Sequence, residues 1–462
     1  MSYMYLSLYD MYDYSFAHNE NNSPGVKNYT AIYLLFTLQV AKTTRMHQQY
    51  DDERALTATP LLNSWSQYGN TIARTGSDID YAIDISMNSD GTIIAIGANK
   101  SANGSVFVYQ YNGGTWIQMG STLKGTNSGS EFGGRISIND AGDLLAVGAK
   151  LNNASGTAAA GCGRVYSYDS NTSDWVQMAN GMCGVQVNEH FAFRVALSGA
   201  STTSDAIVAF SSEKWSNGKG RVFTYIYNQG TNNRWTKLGN ALTGDANGDN
   251  FCDLALSNDG STIAIGASSG EYFKVYQYTS PDWILMSSKI YGNAVGDQFG
   301  NRLTFSGDGT TLAVSAVKAA NGYIKIYKYD NAIADWTERQ QMTGESGDKF
   351  GYGIELSYDG SLLALSARQR DGNKGCGYVY QYDNVSSAYE QVSPAGDPVA
   401  MCGDAAQDYL GRSVQISSDG SIVAFASDMS QYVKVLQGVS TYINCTFYTN
   451  VVFLGYFFRR IQ

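Results

Sequence analysis

One unit, written seven times with variation, constrains this chain more than anything else in it. The clearest copy spans residues 296–336, GDQFGNRLTFSGDGTTLAVSAVKAANGYIKIYKYDNAIADW. Phe299-Gly300 opens a short alternating run, Leu303-Thr304-Phe305, that ends at Gly307-Asp308-Gly309. Asp-Gly between alternating segments predicts a hairpin with a tight primed turn, because Gly takes positive φ without steric cost. The next run, TLAVSA at 311–316, is small and apolar, as a strand buried on both faces should be. Tyr323-Ile324-Lys325-Ile326-Tyr327-Lys328-Tyr329 then has period two with β-branched and aromatic residues, and a turn at 330–335 precedes Trp336 on a fourth, more polar strand. Four antiparallel strands cannot bury both faces alone, so repetition is implied.

Marked by the Ala at the centre of the second strand, the copies fall at Ala95, Ala146, Ala209, Ala264, Ala313, Ala364 and Ala424, 49 to 63 residues apart. The uneven spacing puts insertions in loops. The hairpin recurs as Asp90-Gly91, Asp140-Ala141-Gly142, Asp259-Gly260, Asp308-Gly309, Asp359-Gly360 and Asp419-Gly420, and a longer stretch, 199–205, replaces it in the third copy. Fourth strands are marked by Trp116, Trp175, Trp235, Trp283 and Trp336, with Tyr389 in the sixth copy and nothing in the seventh. The missing marker stands ahead of the first copy, where Trp65 to Gly69 parallels Trp116 to Gly120. The expected fold is all-β: a seven-bladed β-propeller of four-stranded antiparallel blades, its ring closed by the N-terminal strand near Trp65.

Three segments follow from this pattern: a non-repeat region at 1–60, the propeller at 61–437 and a tail at 438–462. The apolar run 29–41 is too short for an ordinary membrane span, and so is 451–458 ahead of Arg459-Arg460. Segment 1–60 reads as a targeting signal or as a buried, irregular stretch, and the tail as packed or disordered, with membrane contact only if a terminal segment anchors the chain. A formal charge of −10 argues against nucleic acid as a partner. Only three His occur, and only His190 lies in the repeats, which disfavours His-rich metal sites and most His-based catalysis.

The pattern resembles the FG-GAP repeats of integrin-alpha-type propellers across about residues 65–436. Phe-Gly is kept at Phe132-Gly133, Phe299-Gly300 and Phe350-Gly351, and altered at Tyr81-Ala82, Phe191-Ala192, Phe251-Cys252 and Leu410-Gly411. Ile96-Gly97-Ala98, Val147-Gly148-Ala149 and Ile265-Gly266-Ala267 keep the second half without the family's final Pro. The resemblance implies a secreted or cell-surface binding propeller. The family's DxDxDG calcium loop is missing: each hairpin here has one or two acids, whereas calcium takes six to eight oxygens, so no metal and no cofactor is expected.

Acids recur two places before the Phe-Gly position, at Glu189, Asp249, Asp297, Asp348 and Asp408. One per blade in the same slot reads as a turn residue accepting backbone N–H bonds, against the sharper reading of a carboxylate ring. Cys162 and Cys376 begin third strands, and Cys183 and Cys402 follow fourth strands, so Cys162–Cys183 and Cys376–Cys402 are expected disulfides of an oxidising compartment. Cys252 and Cys445 are left without a partner or a role. Sequons at Asn28, Asn99, Asn103, Asn153, Asn171, Asn384 and Asn444 are compatible with a secreted glycoprotein.

For binding, Lys214 and Trp215 in one inserted loop, and Arg368, Arg370 and Lys374 in its counterpart three copies on, stand out as interface anchors. The bland alternative packs Trp215 over a blade edge and leaves the basic loop solvated. The functional expectation is therefore a monomeric, non-catalytic, extracellular or cell-surface propeller that binds a protein or glycan through rim loops. Two alternatives stand beside it: an enzyme with a central-channel site, of glycosidase or lyase type, and an intracellular protein–protein scaffold. A deep asymmetric pocket with perturbed carboxylates would mark the enzyme.

Overall fold

In the computed structural model, residues 62–74, 80–100, 102–154, 156–199, 206–229, 234–392 and 401–440 are described. The expectations for 1–60 and for the tail beyond Ser440 lie outside them, as do the sequons at Asn28 and Asn444, and Cys445. The described residues form seven antiparallel sheets, six of them four-stranded meanders and the seventh a three-stranded meander completed by a strand from the start of the ring. Five sheets carry an added two-residue strand against the third strand. In the fifth blade the strands are Phe299–Phe305, Thr311–Ala316, Tyr323–Asp330 and Asp335–Thr343. The second strands are buried along nearly their whole length, which accounts for their small apolar sequence.

The hairpins differ in detail from the expected primed turn. Ser306 and Thr311 pair across a four-residue loop, in which Gly309 N–H donates to Ser306 O at 2.8 Å. Asp308 accepts Thr310 N–H at 2.9 Å, and only the third loop residue, Gly309, has positive φ, at 68°. Asp-Gly thus marks the hairpin through an Asx turn followed by a left-handed Gly.

Leu62–Gln67 pairs antiparallel with Tyr432–Ser440, with Trp65 opposite Gly438, so the start of the ring supplies the outer strand of the seventh blade. The third strand of that blade runs to Ser440, past the expected boundary at 437. The hydrophobic core lies between blades. Ile85, Ile94 and Ile96 of the first blade pack against Ile422, Ala424 and Val435 of the seventh, and like clusters fill the other junctions. Tryptophans clip successive outer strands together. Trp116 Nε1 donates to Tyr68 O at 3.1 Å, Trp175 Nε1 to Met119 O at 3.0 Å and Trp283 Nε1 to Leu238 O at 3.0 Å. A Cβ on Gly69 would sit 2.9 Å from the Trp116 ring, which is why Gly follows Trp65 at a fixed distance.

Both expected disulfides are present, Cys162–Cys183 and Cys376–Cys402. Cys162 and Cys183 are direct register partners, on the third strand and its two-residue companion Met182–Cys183. Cys252 is buried and free, and burial pushes its thiol well above the usual range, so it stays un-ionised.

Two outcomes are expected. Trp65→Ala should cost about 3–5 kcal/mol in urea unfolding, and a loss below about 1 kcal/mol would mean the N-terminal strand does not close the ring. Replacing Cys162 and Cys183 together by Ser should cost about 2–4 kcal/mol, with the linked peptide found by mass spectrometry only in the unreduced parent.

Candidate functional site: the central channel

Seven innermost strands turn one edge each toward the axis, and an edge strand carries backbone N–H groups with no ladder partner. Many are satisfied from the neighbouring blade. Asp84 accepts Ile136 N–H at 3.0 Å, Ser86 accepts Ile138 N–H at 3.0 Å, and Ser137 accepts Leu197 N–H at 3.0 Å. Gln415 accepts Met87 N–H at 3.2 Å, and Thr304 accepts Leu356 N–H at 3.4 Å. These polar residues are wall structure.

Four arginines, one aspartate and one glutamate remain unexplained by that role. Aligning the innermost strands, the slot before the first apolar residue reads Asp84, Arg135, Arg194, Asp253, Arg302, Gly353 and Ser413. Arg412 precedes Ser413, and Glu355 lies two places beyond Gly353. All line a cavity of about 300 Å³ on the axis. Asp253 Oδ2 holds Arg194 at 2.7 Å and Arg302 at 3.3 Å. Burial works against the Arg194 charge, but the Asp253 carboxylate beside it raises its pKa above the ordinary value. Arg302 also donates from Nε to Tyr352 O at 3.3 Å. Tyr352 is a hub: the guanidiniums of Arg368, Arg412 and Arg302 lie 5.1, 5.5 and 5.7 Å from its ring centre.

Glu355 accepts the Thr304 hydroxyl at 3.1 Å and has no ion pair among the described residues. Enclosure in the channel wall, and to a lesser degree the charge of Asp84, push its carboxyl up to about 8, against an ordinary 4.5. Arg135 is bonded to Gly134 O at 2.6 Å. Burial, then the like charges of Arg194 and Arg412, push it down to about 9, with Asp84 and Asp253 acting the other way.

The two ends of the channel differ. At the hairpin end the turns bond to one another: Ser418 N–H to Ser89 O at 2.7 Å, Ser89 to Asp140, Asn258 to Gly307 and Tyr358 to Ser418. Asn258 Nδ2 also reaches Asp140 Oδ2 at 2.7 Å. At the other end a second cavity of about 240 Å³ opens between Asp80, Lys100, Glu131, Lys150 and Phe193, and shares Arg135 and Arg412 with the channel. Lys100 pairs with Asp80 at 2.6 Å and Lys150 with Glu131 at 3.1 Å.

The rim residues singled out from sequence are each committed to an internal partner. Lys214 pairs with Glu213 at 3.0 Å, and the half-buried Trp215 lies under Arg221 at 4.9 Å. Arg370 pairs with Asp348 at 2.7 Å and Glu345 at 2.9 Å, and Lys374 with Asp371 at 2.9 Å. Arg368 bonds Asp428 at 2.6 Å, and through Asp428 and Tyr352 it alone of the five joins the channel group. The two loops belong to the third and sixth blades, which the ring does not make neighbours. Most of the repeated acids act as loop brackets. Glu189 accepts Val185 and Gln186 N–H, Asp249 those of Asp245 and Ala246, Asp297 that of Ala294 and Asp408 that of Ala405. Asp348 instead holds Arg370. No metal-binding group of three or more His, Cys, Asp or Glu occurs among the described residues.

The channel residues were missed because the copies were aligned on their shared letters, whereas the site sits in the slot where they differ. Reading that slot down the seven copies would have exposed it.

No family model and no curated protein matches the chain. A crystal structure from Bacteroides uniformis ATCC 8492, provisionally assigned as a 6-phosphogluconolactonase, is 14 % identical, with a TM-score of 0.52 over 76 % of this chain and 90 % of its own. One from Bacteroides fragilis NCTC 9343, with the same provisional assignment, is 12 % identical, with a TM-score of 0.48 over 69 % of this chain and 84 % of its own. At 14 % identity the likeness to the Bacteroides uniformis structure shows the fold alone. The expectations of a non-catalytic binding or adhesion propeller, and of a chain that is not an enzyme, are corrected here. The solved ring from Bacteroides uniformis bears an enzyme's name. The channel also carries the feature that would mark an enzyme, an asymmetric pocket with a perturbed carboxyl, Glu355.

Glu355 makes a stability prediction. Between pH 4.5 and about 8 the unfolded chain is ionised at this position and the folded chain is not, so its contribution to stability falls across that window and is level above it. Glu355→Gln should therefore stabilise the protein by roughly 1–3 kcal/mol at pH 8 and leave it unchanged at pH 4. Chemical unfolding at the two pH values checks this, and a loss at both would make Glu355 a structural residue.

Proposed function

We propose that the chain is an enzyme whose active site lies within the central channel, and that it hydrolyses a small ester or lactone. The observation that carries this reading is Glu355: an enclosed, unpaired carboxyl with its pKa near 8, in a wall otherwise rich in guanidinium groups. As carboxylate it takes a proton from water while the water oxygen attacks the carbonyl carbon. The carbonyl oxygen becomes an oxyanion that the arginine-rich wall stabilises. Collapse breaks the bond to the ring or leaving oxygen, which receives the proton from Glu355. Charge develops only in the transition state, so fixed cations in an enclosed channel favour it over the neutral ester.

The names of the resembling structures suggest the first substrates to try, sugar lactones with and without a phosphate. The two disulfides support an oxidising, extracellular setting. The Phe-Gly repeats support kinship with FG-GAP propellers.

Acid release from 6-phosphogluconolactone, gluconolactone and a neutral ester should be followed in a pH-stat, with non-enzymatic opening subtracted. The expected result is turnover that rises with pH to a plateau above about 8 and falls at least 100-fold in Glu355→Gln, with the variant fully folded. Activity equal in parent and variant would remove Glu355 from the mechanism. A product with a new conjugated double bond would replace hydrolysis by elimination.

A further inference from the structure

We propose that the throat between the mouth cavity and the channel is a binding site for an oxyanion, the phosphate or carboxylate group of a small molecule, held between Arg135 and Arg412. The assignment deepens the proposed function, and it rests on that reading only for what the bound molecule undergoes.

The argument is one of unpaired charge. Of the four arginines in the channel, Arg194 and Arg302 share Asp253. Asp84, the other aspartate of the slot, is spent on Ile136 N–H and the Ser413 hydroxyl and makes no ion pair among the described residues. Arg135 has no acidic partner within ion-pair distance among the described residues, and its guanidinium donates to the carbonyl of its neighbour Gly134. Arg412 has half a partner. Its Nε lies 3.6 Å from Asp428 Oδ2, while Asp428 already accepts Arg368 at 2.6 Å. That Nε makes no hydrogen bond, and another nitrogen is taken by the Tyr352 hydroxyl.

Arg135 and Arg412 also border both cavities and repel one another. Two like charges enclosed with only Asp84 between them, its oxygens already bonded to Ile136 N–H and the Ser413 hydroxyl, cost the fold. An arginine does not relieve that cost by giving up its proton near neutral pH. The remaining relief is an anion from outside, and a planar fork of donors fits the two oxygens of a phosphate or carboxylate. Lys100 and Lys150 flank the approach but are already paired, so they guide an anion rather than hold it. On a chain of net charge −10, a locally cationic throat focuses anions where the surface at large repels them.

The test uses the full oxidised chain in low-chloride buffer at pH 7. Inorganic phosphate, acetate and glucose are titrated while melting temperature and heat of binding are read. Phosphate, acetate or both should bind and raise the melting temperature, and glucose should do neither; the stronger of the two anions names the group. Arg135→Gln should weaken that binding at least tenfold and melt no lower than the parent, since it loses an unpaired charge. Arg412→Gln should weaken binding as well, and Arg339→Gln, which alters an exposed arginine on the outer face, should leave it unchanged. No binding of either anion, or binding untouched in both throat variants, overturns the site. Anion binding without turnover of any ester leaves this site standing and removes the hydrolase, whereas turnover without anion binding does the reverse.

Discussion

An innermost strand with one free edge is the constraint on which the rest of this molecule depends. Each blade leaves a row of backbone N–H groups facing the axis, and seven such rows meet there. Water or side chains must satisfy them. The wall does so by reaching sideways, from Asp84 to Ile136, from Ser86 to Ile138 and from Gln415 to Met87. Short polar residues are therefore required around the channel for reasons that have nothing to do with a ligand. This requirement makes the arginines and Glu355 informative, because their length and charge exceed what an edge amide needs.

Closure supplies the rigidity that lets such a group persist. Each interblade core is complete only when both neighbours are in place, and the last junction is completed by a strand from the other end of the repeat region. The tryptophan clips run along the outside and the turn-to-turn hydrogen bonds run around one mouth of the channel. A charge enclosed in such a ring cannot move away from its neighbours. Asp253 therefore keeps both of its arginines, and Glu355 keeps its proton to a pH at which most carboxyls have lost theirs.

The same rigidity accounts for the quiet behaviour of the rim. Trp215 and the basic loop, which look like interface anchors when read as letters, fold back on partners a few residues or one strand away. A tight left-handed turn in each loop, through Ser216, Asn217 and Gly218 and through Asp371, Gly372 and Asn373, brings those partners within reach. Charge concentrated in a loop sequence is in this case charge already neutralised, whereas charge spread one residue per blade is gathered by the ring into a single group.

By itself the sequence determined the number of blades, the order of strands, the closing role of Trp65 and both cysteine pairs, because each depends on local period, turn chemistry or direct strand pairing. The Phe-Gly spacing and the small apolar second strands leave no other use for the repeat. Only the tertiary structure decided the site. Asp84, Arg135, Arg194, Asp253, Arg302 and Arg412 lie as far as 328 residues apart in the chain, and no local rule relates them. They meet because closing the ring turns one slot of every repeat toward a common axis, and their charges act on one another only at the distances that closure imposes.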